Sequence, residues 1–196
     1  MVNDDKIEMI KIKARAEHVP ILQDASLEFI ELMLSIIKPK SILEVGTAVG
    51  YSALCFSKYL EDGGKIVTIE LNEEMVKQAR NNIKDNNMDH VIEVVHSDAY
   101  EYMKTLNEKF DVVFIDAAKG QYMKYLEEAM RLTKSGSVII ADNVLFKGRV
   151  LGEYNEHKHR TAVNRLREYI KTVKEDERLD TAIVDIGDGI AVSAVK

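Results

Sequence analysis

Four polar side chains stand directly behind two apolar runs. Asp116 closes Val112-Val113-Phe114-Ile115, with Lys119 three residues on; Asp142 and Asn143 close Val138-Ile139-Ile140-Ala141. Such runs read as fully buried strands. A carboxylate at the carboxyl end of a strand stands where open α/β sheets bind ligands. Two Asp and one Asn offer only oxygen donors, a set suited to a hard cation such as Mg²⁺. Lys119 has the wrong charge for a metal ligand and the right one for a reacting anion. Taken singly, Asp116 could cap the next helix, Asp142-Asn143 is an ordinary turn pair, and Lys119 is a solvated lysine. Their joint placement argues for a site.

The elements that must carry these residues follow from periodicity. Residues 3–16 and 24–37 read as helices, the second with Leu27, Ile30, Leu34 and Ile37 at helical spacing. Beyond Pro39 the chain alternates. Strands are predicted at 41–46, 65–70, 91–95, 110–115 and 136–141, and helices at 51–60, 72–85, 98–106, 120–132 and 156–174. Alternation implies parallel pairing through right-handed crossovers. Near the end, 182–186 and 190–195 flank Gly187-Asp188-Gly189, which reads as an antiparallel hairpin. The expected fold is therefore α/β and Rossmann-like: a mostly parallel seven-stranded sheet, a C-terminal antiparallel hairpin and extra N-terminal helices. One domain is expected over 1–196, a helical extension (1–38) followed by a catalytic core (39–196).

Ile42-Leu43-Glu44-Val45-Gly46-Thr47-Ala48-Val49-Gly50-Tyr51-Ser52 reads as strand, loop and helix start. Gly46 and Gly50 permit a tight turn and close approach to a ligand. The spacing is neither the dinucleotide fingerprint nor a phosphate loop, and Glu44 suits a ligand bearing an amino group. Glu70 ends the second strand, where an acid can accept both ribose hydroxyls; capping the helix from Asn72 is its plainer role. After the third strand, Ser97 or Asp98 could bond an adenine edge, and either could equally cap the helix from 98.

With 46% hydrophobic and 31% charged residues, the composition is that of a soluble globular protein. No apolar run approaches the length of a membrane span, and the first residues carry no signal-peptide core. The single cysteine, Cys55, reads as buried packing. A cytoplasmic setting is the default. The net charge of −6 argues against indiscriminate coating of nucleic acid. However, residues 147–174 carry eight cations against Glu153, Glu156 and Glu168, a net +5 that leaves −11 elsewhere. Such asymmetry suggests an anionic partner for one face.

Together these residues resemble the class I S-adenosylmethionine-dependent methyltransferases, and within them the cation-dependent O-methyltransferases of the catechol and caffeoyl-CoA group. The motifs are Leu43-Glu44-Val45-Gly46-x-x-x-Gly50-Tyr51-Ser52, Ile69-Glu70, Ser97-Asp98-Ala99, Ile115-Asp116-Ala117-Ala118-Lys119, Asp142-Asn143-Val144-Leu145 and Gly187-Asp188-Gly189. The resemblance implies S-adenosylmethionine as cofactor, met by Glu44, Gly46, Thr47, Gly50, Tyr51, Ser52, Glu70, Asp98, Ala99 and Asp116. It implies a Mg²⁺-type cation on Asp116, Asp142 and Asn143, Lys119 at the reacting oxygen, and a homodimer. The runs 114–122 and 142–148 are similar to the bacterial tRNA 5-hydroxyuridine methyltransferases, which implies a wobble uridine as acceptor and 5-methoxyuridine as product.

The chemistry fits such residues. A divalent cation lowers the pKa of a bound hydroxyl, and an acceptor with two adjacent oxygens can chelate it. Lys119 would take the proton or stabilise the oxyanion. Beyond the metal residues, Lys147, Arg149, Lys158, Arg160 and Arg167 are candidates for tRNA phosphates, with Arg160, Arg167, Lys171 and Lys174 on one helical face. Tyr51, Tyr122, Phe146 and Tyr154 could stack on an extruded base. Val163, Leu166, Ile170 and Val173 form the apolar stripe of that helix. Two other readings remain open: a catechol, polyphenol or caffeoyl-CoA-like O-methyltransferase with the same site, and a non-catalytic nucleoside-binding module.

Overall fold

The computed structural model describes residues 3–152 and 159–196. Lys158, His157 and Tyr154 lie outside the described residues. The chain divides into two compact units, Met1–Tyr102 and Met103–Lys196. Among the described residues, seven strands fall in the order β3-β2-β1-β4-β5-β7-β6, and no helix is long and apolar enough to cross a membrane.

The first unit opens with α1 (Asp4–Ala16), capped by Asn3 Oδ1, which accepts the Lys6 N–H at 3.2 Å. Acids in its first turn and Lys13 and Arg15 in its last suit the helix dipole. In α2 (Asp24–Ile37) the buried stripe is Leu27, Ile30 and Leu34, while Ile37 is only half-buried. Lys38, left-handed at φ 49, ends that helix just before Pro39. Three parallel strands follow: β1 (Ser41–Val45), β2 (Lys65–Glu70) and β3 (Ile92–His96). Between them, α3 (Tyr51–Phe56) is buried throughout and tightens into a 3₁₀ turn at Ser57–Tyr59. The amphipathic α4 (Glu73–Asp85) buries Val76, Ala79 and Ile83. After β3 comes α5 (Ala99–Thr105).

In the second unit, β4 (Val112–Ile115) and β5 (Val138–Ala141) are parallel and buried at every position. Strand β7 (Ile190–Val195) runs antiparallel to both β5 and β6 (Leu179–Val184), as the hairpin reading requires. A 3₁₀ turn at Lys119–Gln121 leads into α6 (Tyr122–Arg131). Helix α7 (Arg160–Glu175) buries Val163, Leu166, Tyr169 and Val173. Tyr169 thus takes the core place expected for Ile170, which is half-buried. A tyrosine has enough apolar ring to fill a core position, and a count of aliphatic residues alone misses it.

Candidate active site

In the first unit the glycine loop is braced by a buried polar network. Glu44 is wholly inaccessible to solvent. Its Oε1 accepts the Ser52 hydroxyl and its Oε2 the Thr68 hydroxyl, each at 2.5 Å. Thr68 is the register partner of Glu44 on the adjacent strand, and its own oxygen lies 2.6 Å from Thr47 Oγ1. Hydroxyls from the adjacent strand and the following helix therefore meet on one carboxylate, and the loop hydroxyl of Thr47 joins them through Thr68. Buried charge is tolerable only when bonded in this way.

Gly46 and Gly50 sit at φ 102 and 81, conformations open to glycine. A Cβ on Gly50 would already touch Ala79 and Ile83 of α4 at 3.4 Å. Glu70 links this loop to the next helix: Oε2 accepts the Ala48 N–H and Oε1 the Asn72 N–H, both at 2.9 Å. The cap of α4 is Asn72 itself, whose Oδ1 accepts from Glu74 and Met75. Asp98 accepts the Glu101 N–H at 3.0 Å and so caps α5, with Ala99 buried behind it.

Tyr51 lies in the wall of a cavity of about 380 Å³ among α1, α2 and α3, together with Asp4, Glu8, Asp24, Glu31 and Lys58. Burial pushes its phenol pKa up. Its side chain is thus accounted for by the packing of the N-terminal helices.

The second unit assembles the candidate metal centre. Asn143 Nδ2 donates to Asp116 Oδ1 at 2.9 Å and to Asp142 Oδ2 at 3.2 Å. One amide therefore holds together two carboxylates from successive strand ends. Burial pushes the Asp116 carboxyl pKa up, while the Lys119 charge and the Asn143 hydrogen bond pull it down. Such a carboxyl gains from added positive charge nearby. A half-turn of the Asn143 amide exchanges Nδ2 for Oδ1, so the same three side chains offer oxygens to a hard cation. The donor set fits that group.

The loop beyond is shaped by backbone. Asn143, Phe146 and Lys147 all have positive φ (61, 46 and 55), a clustering of strain found at functional sites. Backbone bonds from Val144 to Gly189 and from Leu145 and Phe146 to Asp188 clamp it to the Gly187-Asp188-Gly189 turn.

The cations divide into three groups. Lys119 Nζ lies 5.2 Å and the Arg149 guanidinium 5.0 Å from the Phe146 ring centre, within cation–π range. His159 meets the same ring edge-on at 5.4 Å. Lys147 and Arg160 are exposed. Arg167, expected on the exposed basic face, instead turns its guanidinium to the Val150 and Gly152 carbonyls. Those bonds hold the loop before α7. Sequence reading also missed Thr68 as partner of Glu44 and gave Tyr122 only a stacking role. A lone threonine in an apolar strand was the available signal for the first.

Residues 5–196 match the O-methyltransferase family. A catechol O-methyltransferase of Niastella koreensis is 30% identical over 178 residues, covering 86% of this chain and 79% of that protein. A caffeoyl-CoA O-methyltransferase of Stellaria longipes is 30% identical over 174 residues, covering 83% and 71%. The crystal structure of an O-methyltransferase from Bacillus cereus with bound SAH superposes with a TM-score of 0.89 at 28% identity, covering 99% of this chain and 92% of that one. With its Rossmann-like sheet and its match along almost the whole length, the chain belongs to the O-methyltransferase family.

Proposed function

We propose that this protein is an S-adenosylmethionine-dependent, divalent-cation-dependent O-methyltransferase whose acceptor carries a hydroxyl beside a second oxygen, and that this acceptor is 5-hydroxyuridine at the tRNA wobble position. The observation that carries the reading is the single amide of Asn143 joining the Asp116 and Asp142 carboxylates. The match to the O-methyltransferase family over 5–196 supports residues 1–196 acting as one catalytic domain.

S-adenosylmethionine supplies the methyl group from its sulfonium. Asp116, Asp142 and Asn143 would hold a divalent cation, which would lower the pKa of the acceptor hydroxyl. The protein's own residues do the rest. Glu44, through Thr68, Thr47 and Ser52, fixes the loop that would hold the methionine portion, and Glu70 would hold the ribose. As the carbon–oxygen bond forms and the carbon–sulfur bond breaks, the hydroxyl proton must leave. Lys119 as a neutral amine would accept it; as an ammonium it would stabilise the oxyanion while the proton passed to solvent water. Phe146 keeps that lysine beside the acids.

The exposed Lys147 and Arg160, with Arg149 against Phe146, support an RNA phosphate partner. A second reading, a small catechol-like acceptor, is favoured by the relatives whose names specify catechol and caffeoyl-CoA, and by the engagement of Arg167 within the protein. Exposed Met9, Ile12, Leu32 and Ile36 on α1 and α2 support a homodimer.

Methyl transfer to catechol and to tRNA bearing 5-hydroxyuridine tests the acceptor. The tRNA should be methylated efficiently, and charge reversal at Arg149 and Arg160 should weaken that reaction. Preference for catechol, with tRNA turnover indifferent to those reversals, removes the RNA reading. Activity that survives EDTA and Asp142→Ala removes the metal.

A further inference from the structure

Tyr122 begins α6, six residues after Asp116, and its side chain is fully buried. Its hydroxyl donates to the backbone carbonyl of Asp142 at 2.7 Å. One side chain therefore ties the segment that follows Asp116 to the chain at Asp142. Asn143 makes the parallel connection through side chains.

The ring itself is held edge-on by Tyr169, with centres 5.6 Å apart and planes at 78°. The Tyr169 hydroxyl is buried and has no partner among the described residues. The two tyrosines thus differ in one respect: only the Tyr122 hydroxyl reaches the loops that carry Asp116, Asp142 and Asn143.

Asn143 occupies the left-handed region at φ 61, a conformation that persists only when its surroundings impose it. Anchoring the carbonyl of the preceding residue is one such imposition. We propose that Tyr122 is a positioning residue, its hydroxyl setting the spacing of Asp116 from the Asp142-Asn143 pair and hence the affinity of that site for a hard divalent cation. This rests on the metal reading above. Partners one shell out from a metal change its affinity by about 10–100-fold when removed.

Mn²⁺ binding to the purified full-length protein, read as loss of the free-ion electron paramagnetic resonance signal, tests it without any turnover. Tyr122→Phe should bind Mn²⁺ about 10–100-fold more weakly than wild type, with SAH affinity unchanged. Tyr169→Phe, which deletes the neighbouring unpartnered hydroxyl, should bind Mn²⁺ as wild type does. Equal affinity in wild type and Tyr122→Phe overturns the role of Tyr122 alone, as does an equal loss in Tyr169→Phe. Failure of the wild type to bind Mn²⁺, or binding that persists in Asp142→Ala, overturns the metal reading and this inference with it. Should Tyr122→Phe not fold, hydrogen exchange on the wild type decides. The Tyr122 hydroxyl proton, followed by NMR, should exchange slowly, and exchange at the rate of an open hydroxyl overturns the bridge.

Discussion

Gly189 packs so closely on Leu145 that a Cβ on the glycine would lie 2.3 Å from Leu145 Cγ and 2.6 Å from its Cβ. The same glycine has φ 85 and accepts the Val144 N–H at 2.9 Å. The terminal hairpin turn is thus a mould for the loop that follows Asp142 and Asn143. Gly189→Ala combines backbone strain with overpacking, each worth about 1–3 kcal/mol. Urea unfolding should show a loss of about 2–6 kcal/mol, summing those two effects. An unchanged midpoint would mean that the turn is free to move away.

Glu44 receives two hydroxyl protons, so its isostere should fail. In Glu44→Gln one acceptor becomes a donor facing Ser52 or Thr68, and a buried hydroxyl loses its partner. The expected cost is about 1–3 kcal/mol of stability, with weaker SAH binding by calorimetry. A variant that binds SAH like wild type would show that the carboxylate does not hold the glycine loop in shape.

Cys55 is 2% exposed, and burial pushes its thiol pKa up to about 12. The thiolate is the reactive form. Ellman's reagent at pH 8 should leave the folded protein unmodified and titrate one thiol in urea. Rapid reaction of the native protein would contradict the packing of α3.

Asp176 ends α7 and accepts from the Arg178 backbone and guanidinium. These bonds lower its pKa from the ordinary 3.8 to about 2. Between those values the unfolded chain binds more protons than the folded one, so stability rises with pH there. The contribution is complete above about pH 4 and is lost as pH falls through 2. Asp176→Asn should flatten the stability profile between pH 4 and 2 and leave the profile near neutrality unchanged in slope. An unaltered acid limb would show that the Arg178 contact is not maintained in solution.

The chain order of strands and helices was legible residue by residue. Unbroken apolar runs such as Val112–Ile115, too short for a helix, read as buried strands, and an acid that ends one stands where open α/β sheets bind ligands. Gly187-Asp188-Gly189 reads as a turn because few other sequences reverse so sharply. The identities of Asp116, Asp142 and Asn143 followed from the same local reasoning, since each closes a recognisable strand.

What local sequence leaves open is the direction in which a side chain's hydrogen bonds run, because that depends on neighbours distant along the chain. Arg167 shares a helical face with exposed cations, yet the loop at Val150–Gly152 offers it carbonyls. Tyr122 reads as a ring for stacking until Asp142, 20 residues on, is seen to accept its proton. Glu44 reads as a ligand-facing acid, and only strand pairing brings Thr68 opposite it. Apolar burial is periodic and written in each segment. Polar satisfaction is a matter of partners, and these partners meet only when the strands and loops have come together.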